Sequence, residues 1–309
     1  MNLEPRHLHL PDDAAVETAQ RIYLERCAPG YRARRVQWSE GTTQIIELGA
    51  GTPLLLLHGG MGEAFQWGPI LSPLARRHRV LAVDRPGHGL ADPFDYRGVD
   101  LLVHARRFLS DILDAEKLPS AAIVASSMGG MWAVAFALAY PNRVTHLILP
   151  GAPAGLTRAL PLQMRLGALP GLKRVVRTAM SRPTRDGTRA FWKQMLVAHP
   201  QKLENDFLDL SAASQRRNCR TWFSLMDSAF GLRGMKPELL LAQRWQELAV
   251  PTTLVLGEKD AFGGMDAAVA AAASNRRIRL VRIADAGHAP WFDQPEQVVQ
   301  AIEAALGGT

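Results

Sequence analysis

The chain contains little cysteine and has no long hydrophobic run. Its two cysteines, Cys27 and Cys219, lie far apart among 309 residues. A disulfide framework is therefore not expected, and the sequence predicts a protein of the reducing cytoplasm. The hydrophobic runs, such as residues 54–57, are far too short to span a membrane. The N-terminal residues lack the apolar stretch of a secretory signal, so none is expected.

The sequence also lacks the patterns that bind nucleic acid or metal. The formal charge is +7 and the isoelectric point about 9.8, but no helix-turn-helix, aromatic RNA-binding signature or zinc-ligand spacing is present. Basic residues are concentrated at 158–193, where Asp186 is the only acid. We interpret this segment as a solvated helix surface. The alternative is a basic lid that steers anionic substrates.

From residue 53 onward, short apolar segments alternate with segments of helical length and pattern. This alternation predicts right-handed strand-helix-strand units and a mostly parallel sheet with helices on both faces. Before it, residues 1–35 form a predicted leader with a helix at 12–26, and strands at 35–38 and 42–48 form a predicted hairpin. The predicted core helices cover residues 65–77, 100–118, 130–140, 265–274 and 295–306.

The alternation stops between residues 149 and 250. Residues 154–245 are helical in character and are interrupted by several prolines. We interpret them as a helical cap inserted between core strands, which leaves residues 1–153 and 246–309 as the core. Such a cap would enclose a substrate pocket over the strand ends, and a minority of its apolar side chains would line that pocket.

A predicted buried strand runs into a tight turn at residues 123–130. Ser127 has a small residue two positions before it, Ala125, and another two positions after it, Gly129. This pattern is typical of a nucleophile elbow, although glycine is more usual where Ala125 stands. The sharp turn exposes the serine at the head of a helix, where backbone N–H groups favour developing negative charge. Ser127 is therefore the predicted nucleophile.

Four further motifs each follow a predicted strand and lie in a recognisable order. They are the His58-Gly59-Gly60 loop, the Asp84 to Gly89 turn, Asp260 at a strand tip, and His288 in an Asp-Ala-Gly-His sequence. With the serine motif they resemble the α/β-hydrolase superfamily, strongly over residues 40–150 and 245–306. The resemblance implies the α/β-hydrolase fold with an inserted helical cap. It also implies a catalytic triad in the chain order serine, acid, histidine.

The triad implied in this way consists of Ser127, Asp260 and His288. His288 would take the serine proton during attack, and Asp260 would orient the imidazole and stabilise its protonated form. Asp266, Asp285 and Asp293 remain alternatives for the acid. Asp285 is the less suitable of these because it is too close in sequence to reach the far side of the His288 ring easily.

The resemblance also implies an oxyanion hole made of two backbone N–H groups, from Gly60 and Met128, with Met61 as the alternative to Gly60. His58 is interpreted as structural. So is the loop after the next strand, which carries Asp84, Arg85, His88 and Asp92. The predicted substrate-binding residues are Met61, Trp132, Met164, Phe262 and Trp291.

A serine at the nucleophile position disfavours epoxide opening and halide removal, for which relatives use a carboxylate. The sequence predicts a serine hydrolase that cleaves a carboxylic ester, thioester or lactone of a small-molecule substrate through an acyl-enzyme. A carbon–carbon bond hydrolase or an acyl transferase is the first alternative. Ring-fission relatives often have an aromatic residue after the histidine, where this chain has Ala289. A non-catalytic binder is the third hypothesis. No cofactor or metal is expected, and the oligomeric state stays open.

Overall fold

The computed structural model describes residues 12–158, 160–161, 164, 169–231 and 233–307. Residues 1–11 of the predicted leader and a few positions of the predicted cap lie outside these ranges. Within them no helix is both long and apolar enough to cross a membrane.

The described residues contain ten strands, and eight of them form one sheet. The strands are β1 (Arg32–Trp38), β2 (Gly41–Leu48), β3 (Thr52–Leu57), β4 (His78–Val83), β5 (Ala121–Ala125), β6 (Val144–Pro150), β7 (Phe230–Gly231), β8 (Gly234–Met235), β9 (Thr252–Gly257) and β10 (Ile278–Ile283). The large sheet has the order β1-β2-β4-β3-β5-β6-β9-β10. Strand β2 is antiparallel to both of its neighbours, and all other neighbours are parallel. The predicted mostly parallel sheet is confirmed.

The described residues contain ten α-helices, some packed on the two faces of this sheet and three in the segment between β6 and β9. They are α1 (Asp13–Cys27), α2 (Gly68–Ala75), α3 (Leu101–Ala115), α4 (Ser127–Ala139), α5 (Pro170–Met180), α6 (Arg185–Met195), α7 (Asn205–Ala229), α8 (Met265–Ser274), α9 (Pro290–Asp293) and α10 (Pro295–Ala305). The predicted helix at 65–77 is the main departure, because it begins as a 3-10 turn at Ala64–Trp67 and becomes α-helical only at Gly68.

The strands are apolar on both faces because each face carries its own hydrophobic core. Along β3, Leu55 and Leu57 belong to one core, and Leu54 and Leu56 belong to the other. The first core includes side chains of α3, α4 and α8, and the second includes side chains of α1, α2 and α10. This two-sided packing is the arrangement that the alternating sequence predicts.

The segment between β6 and β9 contains α5, α6 and α7, and we call it the inserted segment. Its helical character agrees with the sequence, but the small β7–β8 hairpin was not predicted. Helix α7 is joined to the rest of the chain by Arg217, a buried residue that pairs with Asp13 of α1 and donates to the carbonyl groups of Gly89 and Ala91. The boundaries of the cap at 154 and 245 stay a prediction.

Candidate active site

Ser127 stands at the junction of β5 and α4, where the backbone is forced into an unusual conformation. Its φ is +51°, in the left-handed region that non-glycine residues rarely adopt. A Cβ at Gly129 would lie 2.3 Å from the His58 carbonyl oxygen, so only glycine fits there. Every other residue from Ala121 to Gly130 is buried, whereas Ser127 is partly exposed. The turn therefore presents this one hydroxyl to a cavity.

The His288 imidazole is paired with the Asp260 carboxylate. Nδ1 of His288 lies 2.9 Å from Oδ1 and 2.8 Å from Oδ2 of Asp260, and both side chains are only 4% exposed. The other ring nitrogen, Nε2, is buried and has no hydrogen-bond partner among the described residues. A buried imidazole with one nitrogen held by a carboxylate and the other unbonded is arranged to accept a proton.

Backbone groups and an aromatic ring fix this pair in position. Asp260 accepts hydrogen bonds from the N–H groups of Ala152, at 3.2 Å, and Phe262, at 2.8 Å. The Phe262 ring lies over the imidazole of His288, with 4.2 Å between the ring centroids. These contacts restrict the carboxylate and the imidazole to one relative orientation.

The alternative acids face other partners. Asp285 is half-exposed and pairs with Lys259 and His199. The Lys259 ammonium, and then His199, hold the pKa of that carboxyl below its usual value. Asp266 is exposed in the first turn of α8. Asp293 is buried and accepts hydrogen bonds from backbone N–H groups of residues 198, 199 and 287. The His288 ring thus bonds Asp260 while these three acids bond other groups or face solvent, so the geometry favours Asp260.

A cavity of about 730 Å³ lies between the inserted segment and the edge of the sheet at which β5 and β9 end. Ser127 and His288 both line this cavity. Its wall is mostly apolar. Six of the ten methionines of the chain line it, namely Met61, Met128, Met164, Met180, Met195 and Met226. Unbranched, polarizable methionine side chains adapt to ligands of different shape. The cavity is therefore suited to an apolar ligand of variable outline.

Four of the five predicted substrate-binding residues line the cavity, namely Met61, Met164, Phe262 and Trp291. Trp132 does not, and that prediction is corrected. Its side chain is fully buried within the sheet-and-helix core, and its ring contacts Tyr96, His104 and Phe108. Helix α4 is apolar on all sides, so the sequence pattern does not show which of its faces meets the cavity.

The sequence did not reveal two charged residues of the cavity wall. Arg177 of α5 and Asp227 of α7 both line the cavity and form an ion pair, with 2.6 Å between Nη2 and Oδ2. The Arg177 guanidinium also lies 5.0 Å from the centre of the Phe223 ring. Arg185 of the same basic segment pairs with Asp209. At Arg177 and Arg185, the pairing with acids of the same segment favours the predicted helix surface over a basic lid that steers anionic substrates.

The predicted oxyanion donors lie on the same side of the cavity as Ser127. Met128 is the second residue of α4, so its N–H belongs to the first helical turn and has no partner within the helix. A Cβ at Gly59 would lie 3.2 Å from Cβ of Ser127, and a Cβ at Gly60 would lie 2.9 Å from Cγ of Met128. The glycine-rich loop thus approaches the serine turn more closely than larger residues would permit.

The loop after β4 is hydrogen-bonded to the glycine-rich loop that follows β3. Nε2 of His58 accepts from the backbone N–H of Arg85 at 2.8 Å, and Nε2 of His88 lies 2.8 Å from the carbonyl oxygen of Gly60. Burial lowers the pKa of His58 well below its usual range and that of His88 to about 3. Both rings are therefore neutral near pH 7. Their contacts fit the structural roles predicted from the sequence.

Comparison with known proteins places this arrangement in a family. Residues 54–301 match the sequence profile of the alpha/beta hydrolase family. The chain belongs to this family. Like other alpha/beta hydrolases it has a mostly parallel central sheet, and the carboxylesterase CesB of Bacillus subtilis has the same fold. Its structure aligns with a TM-score of 0.76 and 21% identity over 97% of this chain and 100% of the other.

Two alpha/beta hydrolase relatives differ in their chemistry. A 2-hydroxy-6-oxo-2,4-heptadienoate hydrolase of Pseudomonas putida is 36% identical over 115 residues, which are 36% of this chain and 41% of that protein. A pimeloyl-acyl-carrier-protein methyl ester esterase of Nitrosomonas europaea is 26% identical over 275 residues, which are 84% of this chain and 98% of that protein.

Proposed function

We propose that this alpha/beta hydrolase is a serine hydrolase that cleaves a carboxylic ester, thioester or lactone through an acyl-enzyme. One observation carries the proposal. A strained, partly exposed serine lines the same apolar cavity as a histidine whose other ring nitrogen is paired with a buried aspartate. Backbone strain at a polar residue that lines a cavity is characteristic of functional sites, because the surrounding structure must maintain it. We assign Ser127 as nucleophile, His288 as general base and Asp260 as the residue that orients it.

The proposed reaction proceeds in two halves. Oγ of Ser127 forms a bond to the carbonyl carbon while Nε2 of His288 takes the hydroxyl proton, and the carbonyl oxygen becomes an oxyanion. The N–H groups of Gly60 and Met128 would bind that oxyanion. The intermediate then breaks the bond to the leaving group, which receives the proton from His288. Water repeats the sequence on the acyl-enzyme and releases the carboxylic acid and free Ser127.

Ester cleavage is the bond class that we favour. The esterase relative aligns over nearly its whole length, and the apolar cavity suits the acyl part of such a substrate. Carbon–carbon bond cleavage is the second candidate. A more similar but shorter alignment, to the heptadienoate hydrolase, supports it. Ala289 in place of an aromatic residue after the histidine argues against it.

Chemical labelling and product analysis test the proposal. We expect a fluorophosphonate to modify Ser127 and not Ser126, because Ser126 is only 2% exposed at the start of the elbow. An adduct on Ser126, or no adduct with active protein, would refute the assignment of the nucleophile. An unreactive, inactive protein would instead support the binder hypothesis.

A substrate panel then separates the bond classes. It should contain p-nitrophenyl esters, thioesters, lactones and a 2-hydroxy-6-oxo-dienoate ring-fission product. Turnover of the dienoate alone would replace ester cleavage by carbon–carbon cleavage. Formation of a new ester or amide with an added alcohol or amine, in preference to the free acid, would indicate an acyl transferase.

A further inference from the structure

The Arg85 side chain occupies an unusual environment for a cation. It is fully buried, and its Nε and Nη1 atoms have no hydrogen-bond partner among the described residues. The guanidinium lies 4.8 Å from the centre of the Trp132 ring. Nη2 donates a hydrogen bond to the carbonyl oxygen of Gly59 at 2.6 Å. A buried charge with unpaired donors is costly. An apolar side chain could fill the same space without that cost.

The Gly59 carbonyl is fixed by more than Arg85. Nδ1 of His58 lies 2.9 Å from the same oxygen, and the N–H of Gly62 donates to it at 3.2 Å. Since Nε2 of His58 accepts a hydrogen bond from the Arg85 N–H, the neutral ring carries its hydrogen on Nδ1 and donates to Gly59. Three donors therefore converge on one carbonyl oxygen, and Arg85 makes the shortest and only charged contact.

This carbonyl shares a peptide unit with the N–H of Gly60. The described chain contains no cis peptide bond, so the C=O of Gly59 and the N–H of Gly60 point in opposite directions from one plane. A carbonyl held toward Arg85 thus directs the amide hydrogen away from Arg85. Both Gly60 and Ser127 line the cavity, and Gly60 approaches the first turn of α4.

We propose that Arg85 is a positioning residue for the oxyanion hole. The Arg85 side chain holds the Gly59 carbonyl so that the Gly60 N–H is aimed at the developing oxyanion. This inference rests on the proposed function. The charge of Arg85 also polarises the peptide unit between Gly59 and Gly60, because hydrogen bonds in a chain strengthen one another. The sequence assigned Arg85 to the packing of its loop. The contact with Gly59 adds a role in the reaction that a packing residue would not have.

The test compares binding of an oxyanion mimic with binding of its ground-state counterpart. An alkyl trifluoromethyl ketone adds to the serine and forms an oxyanion, whereas the matching methyl ketone remains mostly a neutral ketone. We expect Arg85→Met to weaken the first by roughly 10- to 100-fold while changing the second little, since removal of a whole oxyanion donor costs about 10²–10³-fold. The rate of fluorophosphonate labelling at Ser127 should fall in parallel.

Arg35→Met is the matched control. Arg35 of β1 anchors the same loop at a later point, through the Leu90 carbonyl and Asp92, whereas Arg85 reaches the glycine-rich loop directly. Both variants lose a partly or fully buried guanidinium, so a merely structural effect would appear in both. We expect Arg35→Met to keep the wild-type preference for the trifluoromethyl ketone, and circular dichroism should verify that each variant is folded.

Each result decides the question. Equal losses for the two ketones in Arg85→Met, or the same preference in Arg85→Met and Arg35→Met, would overturn the inference. If Arg85→Met does not fold, Arg85→Gln takes its place, because it keeps a polar side chain but loses the charge and the reach to the Gly59 carbonyl. A selective loss for the trifluoromethyl ketone supports the inference there too, and an unchanged preference overturns it. A wild-type protein that fluorophosphonate does not label at Ser127 would instead refute the proposed function.

Discussion

Gly151, directly after β6, is in contact with the loop that carries His288. A Cβ at position 151 would stand 2.2 Å from the His288 carbonyl oxygen, and the φ of Gly151 is +77°. The residue after β6 therefore limits how closely the loop of His288, the proposed general base, can approach the sheet. No larger residue fits between them unless the histidine loop moves.

Gly151→Ala should therefore abolish most activity. A displacement of about 1 Å in a catalytic group can cost about 10²-fold in rate, so we expect at least that loss in kcat on a p-nitrophenyl ester. The control is Gly98→Ala, because Gly98 has nearly the same φ, +76°, but a Cβ at position 98 would meet no atom within 4 Å. Both variants should lose about 1–2 kcal/mol of stability from the left-handed backbone. Equal kcat values for the two would contradict this role of Gly151.

Asp260→Asn tests the assignment of the acid. The amide cannot stabilise a protonated imidazole and favours the wrong tautomer of His288, so kcat should fall by about 10³–10⁴-fold. Asp285→Asn should keep most activity because its carboxylate faces Lys259 and His199. Steady-state kinetics of the two purified variants provide the comparison. The reverse pattern would mean that Asp285 is the acid.

Asp293→Asn should destabilise the protein. Asp293 accepts three backbone N–H groups, from Ala198, His199 and Gly287, at 2.8 to 2.9 Å. An amide has one acceptor oxygen, so at least one of these buried donors loses its partner, which costs about 1–3 kcal/mol. Thermal denaturation measures the loss. Because Gly287 precedes His288, kcat should also decrease. An unchanged melting temperature would contradict this account.

The sequence predicted the positions of Ser127, Asp260 and His288 in the fold better than it predicted the walls of the cavity. Ser127, Asp260 and His288 follow parallel strands, and the carboxyl ends of parallel strands meet at one edge of a sheet. Motif order was therefore enough to bring them together. Trp132 shows the limit of this reasoning, because the helix that carries it is apolar on every face.

Other features depend on contacts that no local pattern records. The ion pair of Arg177 and Asp227 joins two helices through residues that are 50 positions apart in the sequence. The hydrogen bond from Arg85 to Gly59 joins two loops whose motifs, taken singly, indicate only tight turns. The β7–β8 hairpin contains two residues in each strand, too few for any periodicity to appear.

Buried acids near the site predict how stability depends on pH. Glu63 is 1% exposed and accepts hydrogen bonds from Ser214 and Gln66. Burial raises its pKa well above the ordinary value of 4.5. Asp84 adds to this effect, while Ser214, Arg85 and Asn218 oppose it. The pKa of Asp84 is itself raised by burial, to about 6.

The sign of the effect follows from which state binds more protons. Above about pH 4.5 the unfolded chain loses the Glu63 proton while the folded protein keeps it, so stability falls as pH rises, by up to about 1.4 kcal/mol per pH unit. Glu63→Gln removes this contribution. We expect it to flatten the dependence of the unfolding free energy on pH above about pH 5, measured by urea denaturation. The control is Glu17→Gln, at an exposed position of α1, which should keep the wild-type slope of unfolding free energy against pH. Asp84 also steepens that slope below about pH 6, in the wild type and in both variants. If wild type, Glu63→Gln and Glu17→Gln all show the same slope, Glu63 is ionised in the folded protein and its burial must be compensated by the neighbouring Arg85.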